Sequence, residues 1–96
     1  MKVNNKWIKE NINITRPEFY NDYNILYTYG YASVTWGDNY EYLDMNTTKR
    51  YKKTGIKKAI KELRKYCKGK TEEEINNIDF DTVKKIILKK EYFYKN

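Results

Sequence analysis

No histidine occurs among the 96 residues. Without it the chain can assemble neither a Ser-His-Asp nor a Cys-His nucleophile system, and no His-ligated metal site. The single cysteine, Cys67, excludes an intrachain disulfide and a Cys-based zinc cluster and points to a reducing, cytoplasmic setting. No apolar run approaches the ~18 residues that a membrane span requires. The opening Met1-Lys2-Val3-Asn4-Asn5-Lys6 is not followed by the apolar stretch of a signal peptide, so neither membrane insertion nor export is expected. Arginine is also scarce, with 3 against 17 lysines. No repeat, linker or low-complexity segment divides the chain, and residues 1–96 are expected to form a single domain.

The chain contains 40% hydrophobic and 17% aromatic residues, enough ring and aliphatic area to fold despite its high charge. A chain of this length builds one core and buries roughly two-thirds of its unfolded surface. Its net charge of +7 is unevenly spread: residues 1–48 hold four Lys/Arg against six Asp/Glu, residues 49–70 eleven against one, and residues 71–96 five against six. A segment as basic as the middle one attracts phosphate backbones, anionic lipid or an acidic protein face, or serves as a solvated helix face in a lysine-rich protein. Lys, Asn, Ile and Tyr make up about half of the chain, the signature of AT-rich coding common in phages and mobile elements.

Short elements follow one another along the chain. Residues 4–10 favour a short helix presenting Trp7 and Ile8, and Thr15-Arg16-Pro17-Glu18 has capping-box spacing for a further turn or two. From Asn24 to Met45 the strand formers Ile25, Tyr27, Tyr29, Tyr31, Val34, Thr35 and Trp36, the turn cluster Gly37-Asp38-Asn39 and the run Tyr40 to Met45 predict a β-hairpin. A two-residue Asp38-Asn39 turn would pair Val34 with Leu43 and Trp36 with Glu41. Leu26, Ala32, Val34, Trp36, Leu43 and Met45 then form the core face, and Tyr27, Tyr29, Tyr31, Tyr40 and Tyr42 the other.

Ile56, Ala59, Ile60, Leu63 and Cys67 recur at helical spacing within residues 47–68, closed by Gly69 at the C′ position. Gly55 costs about 1 kcal/mol inside a helix, so a start with Thr54 as N-cap is the alternative. Opposite the stripe stand Lys57, Lys58, Lys61, Arg64, Lys65 and Lys68, a basic ridge. Thr71-Glu72-Glu73-Glu74 is a capping box. Asp79 or Asp81 recaps a last helix over residues 80–92, with Phe80, Val83, Ile86, Ile87 and Tyr94 as its buried stripe. The expected architecture is α+β: a small antiparallel hairpin or three-stranded sheet packed on one face by two C-terminal helices, with a short N-terminal helix.

Chemistry-bearing constellations are few. Tyr29-Gly30-Tyr31-Ala32-Ser33-Val34-Thr35-Trp36 shares Gly30, Tyr31, Ala32, Val34 and an aromatic Trp36 with the RNA-recognition-motif signature. It lacks the leading base, and only 28 residues precede it, too few for the β-α-β unit that the motif requires, so the match is read as coincidence. Asp38, Glu41 and Asp44 lie close enough in sequence to hold a hard cation, but Asp38 lies in the turn and the other two project to opposite faces in this register. Cys67 reads as a small core residue, with a lysine-activated thiolate as the sharper alternative.

Two recognition surfaces remain, the tyrosine face and the basic ridge. They suggest a non-enzymatic binding or inhibitor protein without cofactor, phage- or mobile-element-encoded, docking on a host nucleic-acid-processing or defence complex in the anti-CRISPR manner. Its expected partner is an acidic protein surface or a nucleoprotein complex. The alternative is sequence-nonspecific binding of single-stranded DNA or RNA, with the tyrosines stacking on bases and the lysines tracking phosphates. The bland reading is that the tyrosines merely stabilise a small sheet as cross-strand pairs. A homodimer through the tyrosine face or the hairpin edge is a further expectation.

Overall fold

Three antiparallel strands in the order β1-β2-β3 carry a helical layer on one face in the computed structural model, which describes residues 1–15, 30–45 and 51–94. The described elements run α1 (Asn5–Asn11), β1 (Ile12–Thr15), β2 (Gly30–Trp36), β3 (Asn39–Met45), α2 (Lys53–Cys67), α3 (Glu72–Asn76), α4 (Phe80–Ile87) and a 3-10 turn (Lys90–Tyr92). This is the expected α+β class, in its three-stranded form. The Thr15-Pro17 cap, Leu26, Tyr27 and Tyr29 lie at least in part outside the described residues.

The expected short N-terminal helix forms as α1, and the third strand follows it in residues 12–15, for which the sequence predicted no strand. Asn4 caps α1 by accepting from the Trp7 amide at 2.8 Å, and Ile8 enters the core. Ile12 then turns extended, at φ −130°. From there the alternation Ile12, Asn13, Ile14, Thr15 buries its two isoleucines and turns the polar pair to the other face, the period-two pattern of a half-buried strand.

The hairpin departs from the predicted register by two residues. Trp36 pairs with Asn39, Val34 with Glu41 and Ala32 with Leu43, so the two-residue loop is Gly37-Asp38. Gly37 stands at φ +67°, the left-handed value that a primed hairpin turn requires at its first central position and that glycine adopts without strain. A two-residue shift leaves every side chain on its expected face. Ala32, Val34, Trp36 and Leu43 are therefore buried as anticipated, while Tyr40 and Tyr42 remain on the opposite side.

A contact distant in sequence selects this turn. The Asn76 side-chain oxygen accepts from the Asp38 amide at 2.9 Å, its amide donates to Asp38 Oδ2 at 3.1 Å, and the Asn39 side chain donates to the Asn76 carbonyl at 3.0 Å. The Trp36 indole, stacked on Phe80 at 5.9 Å, donates to the Ile78 carbonyl at 3.0 Å.

α2 begins at Lys53 with Lys52 as its N-cap, so the Thr54 cap is corrected. Its buried stripe is Gly55, Ala59, Leu63 and Cys67, with Ile56 and Ile60 half-buried, and Gly69 follows the helix at φ +84°. The helix packs on β1 and α4 and touches α1 and the 3-10 turn. Gly55 stays inside the helix because the Tyr92 carbonyl lies against it, where a Cβ would meet main-chain atoms. Thr71 and Glu74 form the expected capping box, and Asp79 caps α4 through the Thr82 amide at 2.7 Å.

The helix expected to reach residue 92 ends at Ile87. Tyr94 is 55% exposed, contrary to its expected place in the stripe, whereas Tyr92 and Phe93 are buried. Leaving the helix frees the Ile87 carbonyl to accept from the Tyr51 hydroxyl at 2.6 Å and lets Phe93 stack on Tyr51 at 4.4 Å. Ile12, Val34, Leu63, Ile75, Val83 and Ile87 form the fully buried centre. Each such side chain contributes about 1.5–3 kcal/mol on removal from water.

Candidate functional site

Opposite the buried stripe of α2, at 100° per residue, stand Lys57, Lys58, Lys61, Lys65 and Lys68, all exposed. The helix is amphipathic because its apolar residues recur every three or four positions, and the lysines fill the positions left over. Among the described residues a single ion pair forms, Lys84 with Asp81 at 3.1 Å, so the ridge lysines are not neutralised by acids of the fold. The one acid within α2, Glu62, makes no such pair.

Arg64 departs from this row. Its Nε donates to the Ile12 carbonyl at 2.9 Å and its Nη2 to the Lys9 carbonyl at 3.1 Å and to the Asn13 side-chain oxygen. Those carbonyls belong to the last turn of α1 and the first residue of β1, where helix-end acceptors have no intrahelical partner; the Lys9 carbonyl also accepts from the Asn13 side-chain amide at 3.3 Å. The planar fork thus ties α2 to the helix–strand junction, a task for which lysine's point charge is poorly shaped. Nothing in its sequence position separates Arg64 from the lysines around it; its residue type alone sets it apart.

Of the tyrosine face, Tyr27 and Tyr29 lie outside the described residues, and Tyr31 is placed by register opposite Asp44. Tyr40 and Tyr42 are 55% and 66% exposed, with their rings edge-to-face at 5.3 Å. The neighbouring Tyr40 hydroxyl holds the Tyr42 phenol above its ordinary value. Thr35 and Ser33 stand opposite them across the ladder. Because α2 lies on the core face of the sheet and its lysines point away from that core, the tyrosine pair and the ridge look in opposite directions.

The remaining candidates change character in the fold. Among the described residues no cluster of three His, Cys, Asp or Glu side chains comes together. No helix among them is long and apolar enough to cross a membrane. Cys67 is fully buried, and burial pushes its thiol up to about 11, only partly opposed by Lys70. That direction is the reverse of an activated thiolate. The unfolded thiol loses its proton near pH 9 and the native one near 11, so the native state binds more protons between those values and stability falls as pH rises through that window. Urea denaturation should accordingly give a lower midpoint at pH 10 than at pH 8, with Cys67→Ala removing most of the difference. A midpoint independent of pH would show that the thiol is not shielded.

Compared with known protein families, curated proteins and solved structures, the chain matches none.

Proposed function

We propose that the chain is a non-enzymatic binding protein of the inhibitor type, which covers an anionic surface of a larger partner with the exposed face of α2. The partner class is an acidic protein face or a nucleoprotein complex. In its concrete form the reading is an inhibitor of a nucleic-acid-processing or defence complex, as anti-CRISPR proteins are. The observation that carries it is the row Lys57, Lys58, Lys61, Lys65 and Lys68, exposed along one helix and left unpaired by the acids among the described residues. The composition, rich in the residues of AT-rich phage coding, supports the concrete form.

Direct binding of a single strand through stacking tyrosines and lysines together asks one ligand to reach two opposite sides of the molecule. The geometry therefore favours the ridge acting by charge. Five lysine–phosphate contacts would give a slope of log affinity against log salt of about −4.5 on duplex DNA. Titration of a labelled DNA duplex, and separately of poly-glutamate, should show steeply salt-dependent binding. The double variant Lys61→Glu/Lys65→Glu should weaken it by at least about tenfold at low salt, taking roughly 1 kcal/mol per surface charge. Equal affinity in the double variant would remove the ridge from the mechanism.

A further inference from the structure

We propose that the free edge of β3 is a strand-addition site for an extended, lysine- or arginine-bearing segment of a partner protein, separate from the α2 ridge and independent of what the ridge binds. The argument begins with the direction of main-chain groups. The Gly37 amide donates to the Asn11 carbonyl at 2.9 Å, and hydrogen-bonded residues alternate along antiparallel ladders. Gly37, Thr35 and Ser33 therefore turn toward β1, while Trp36, Val34 and Ala32 turn toward β3. Their partners Asn39, Glu41 and Leu43 face β2. Tyr40 and Tyr42 between them point their amides and carbonyls away from the sheet.

The two edges of the sheet are treated differently. On β1, the Ile12 amide is taken by the Ile8 carbonyl as the cap of α1, and the Ile12 carbonyl accepts from Arg64. On β3 no such cover exists among the described residues. Of the devices that usually blunt an edge, lysine, proline and a bulge are absent from β3, because the register runs unbroken from Gly30–Met45 to Trp36–Asn39 and residues 39–45 contain neither lysine nor proline; the charge that the strand does carry, Glu41 and Asp44, is acidic and repels an acidic strand but not a basic one.

Charge selects the occupant. Residues 30–45 contain Asp38, Glu41 and Asp44 and no lysine or arginine, so an added strand gains by carrying bases. A second copy of β3 would set acids against acids. Tyr40 and Tyr42 present two exposed ring faces beside the edge, over which alternate basic side chains can lie.

Amide hydrogen exchange with residue resolution tests the site. In the free protein the Tyr40 and Tyr42 amides should exchange fast while those of Glu41 and Leu43 are protected. A seven-residue peptide alternating lysine with valine, added up to about 1 mM, should slow Tyr40 and Tyr42 by at least about tenfold, and its glutamate counterpart should not. Tyr42→Pro should keep the fold, since proline is tolerated where an edge amide faces outward, and should lose the effect. Tyr40→Pro provides the same test at the neighbouring outward position. Three results would overturn the proposal: tyrosine amides already protected without peptide, no slowing at the highest peptide concentration, or protection that grows with protein concentration alone, which would assign the edge to a second copy.

Discussion

Gly55→Ala is expected to destabilise the protein by about 3 kcal/mol, although alanine is favoured over glycine by about 1 kcal/mol in a helix interior. The added Cβ would stand 2.7 Å from the carbonyl carbon of Tyr92 and 2.8 Å from its Cα, closer than van der Waals contact permits. Main chain cannot yield as a flexible side chain does. Moving residues 92–93 away would stretch the 2.9 Å bond from the Lys52 amide to the Tyr92 carbonyl and disturb the Tyr51–Phe93 stack at 4.4 Å. The Tyr51 hydroxyl, bonded to the Ile87 carbonyl at 2.6 Å, belongs to the same joint. Urea denaturation followed by circular dichroism measures the effect as a drop in midpoint. A midpoint equal to or above that of the unmodified protein would mean that the segment does not rest on α2.

The second large effect separates two residues that look alike in the sequence. Arg64→Ala should cost about 2–3 kcal/mol, because hydrogen bonds from a charged donor are worth about 1.5–3 kcal/mol and their loss takes the Arg64 donor from the Ile12 carbonyl at the α1–β1 junction. Lys65→Ala, one position along and exposed, should stay within about 0.5 kcal/mol, as surface substitutions do. Arg64→Lys should recover little, since an ammonium cannot reach Ile12, Lys9 and Asn13 in the same geometry. Thermal melts of the three variants side by side check the ordering. Equal melting of the Arg64→Ala and Lys65→Ala proteins would reduce Arg64 to one more member of the ridge. Weakened ligand binding by an Arg64 variant therefore has to be read against its stability before it is assigned to the binding surface.

What the sequence reveals depends on how local the deciding forces are. The caps Thr71 and Asp79, the α2 stripe and the sheet's inner and outer faces are set by neighbours within a turn or by strict alternation, and all were legible. The hairpin turn was not, because Gly37-Asp38 is chosen partly by Asn76, thirty-eight residues away. β1 was hidden in an asparagine-rich stretch, where Asn11 and Asn13 read as helix breakers and only two isoleucines, Ile12 and Ile14, alternate with polar residues. Tyr94 and Phe93 exchanged roles for a similar reason: the helical period extrapolates past Ile87, but the Tyr51 hydroxyl and the groove beside Gly55 reward an extended segment instead. The candidate site was legible in composition more than in geometry. The lysine ridge follows directly from spacing, whereas its placement back-to-back with Tyr40 and Tyr42 depends on which face of the sheet α2 covers.

The joint between Tyr51, Gly55 and Phe93 also orders events in time. A ribosome adds about 5–20 residues per second, so Phe93 emerges about 2–8 s after Tyr51. Throughout that interval the Phe93 ring that stacks on Tyr51 and the Tyr92 carbonyl that rests on Gly55 have yet to be made, so this joint closes only after the hairpin and the basic helix have been synthesised. A chain stalled before residue 92 would lack the main chain that rests on the Gly55 face of α2, leaving that part of the helix open to water.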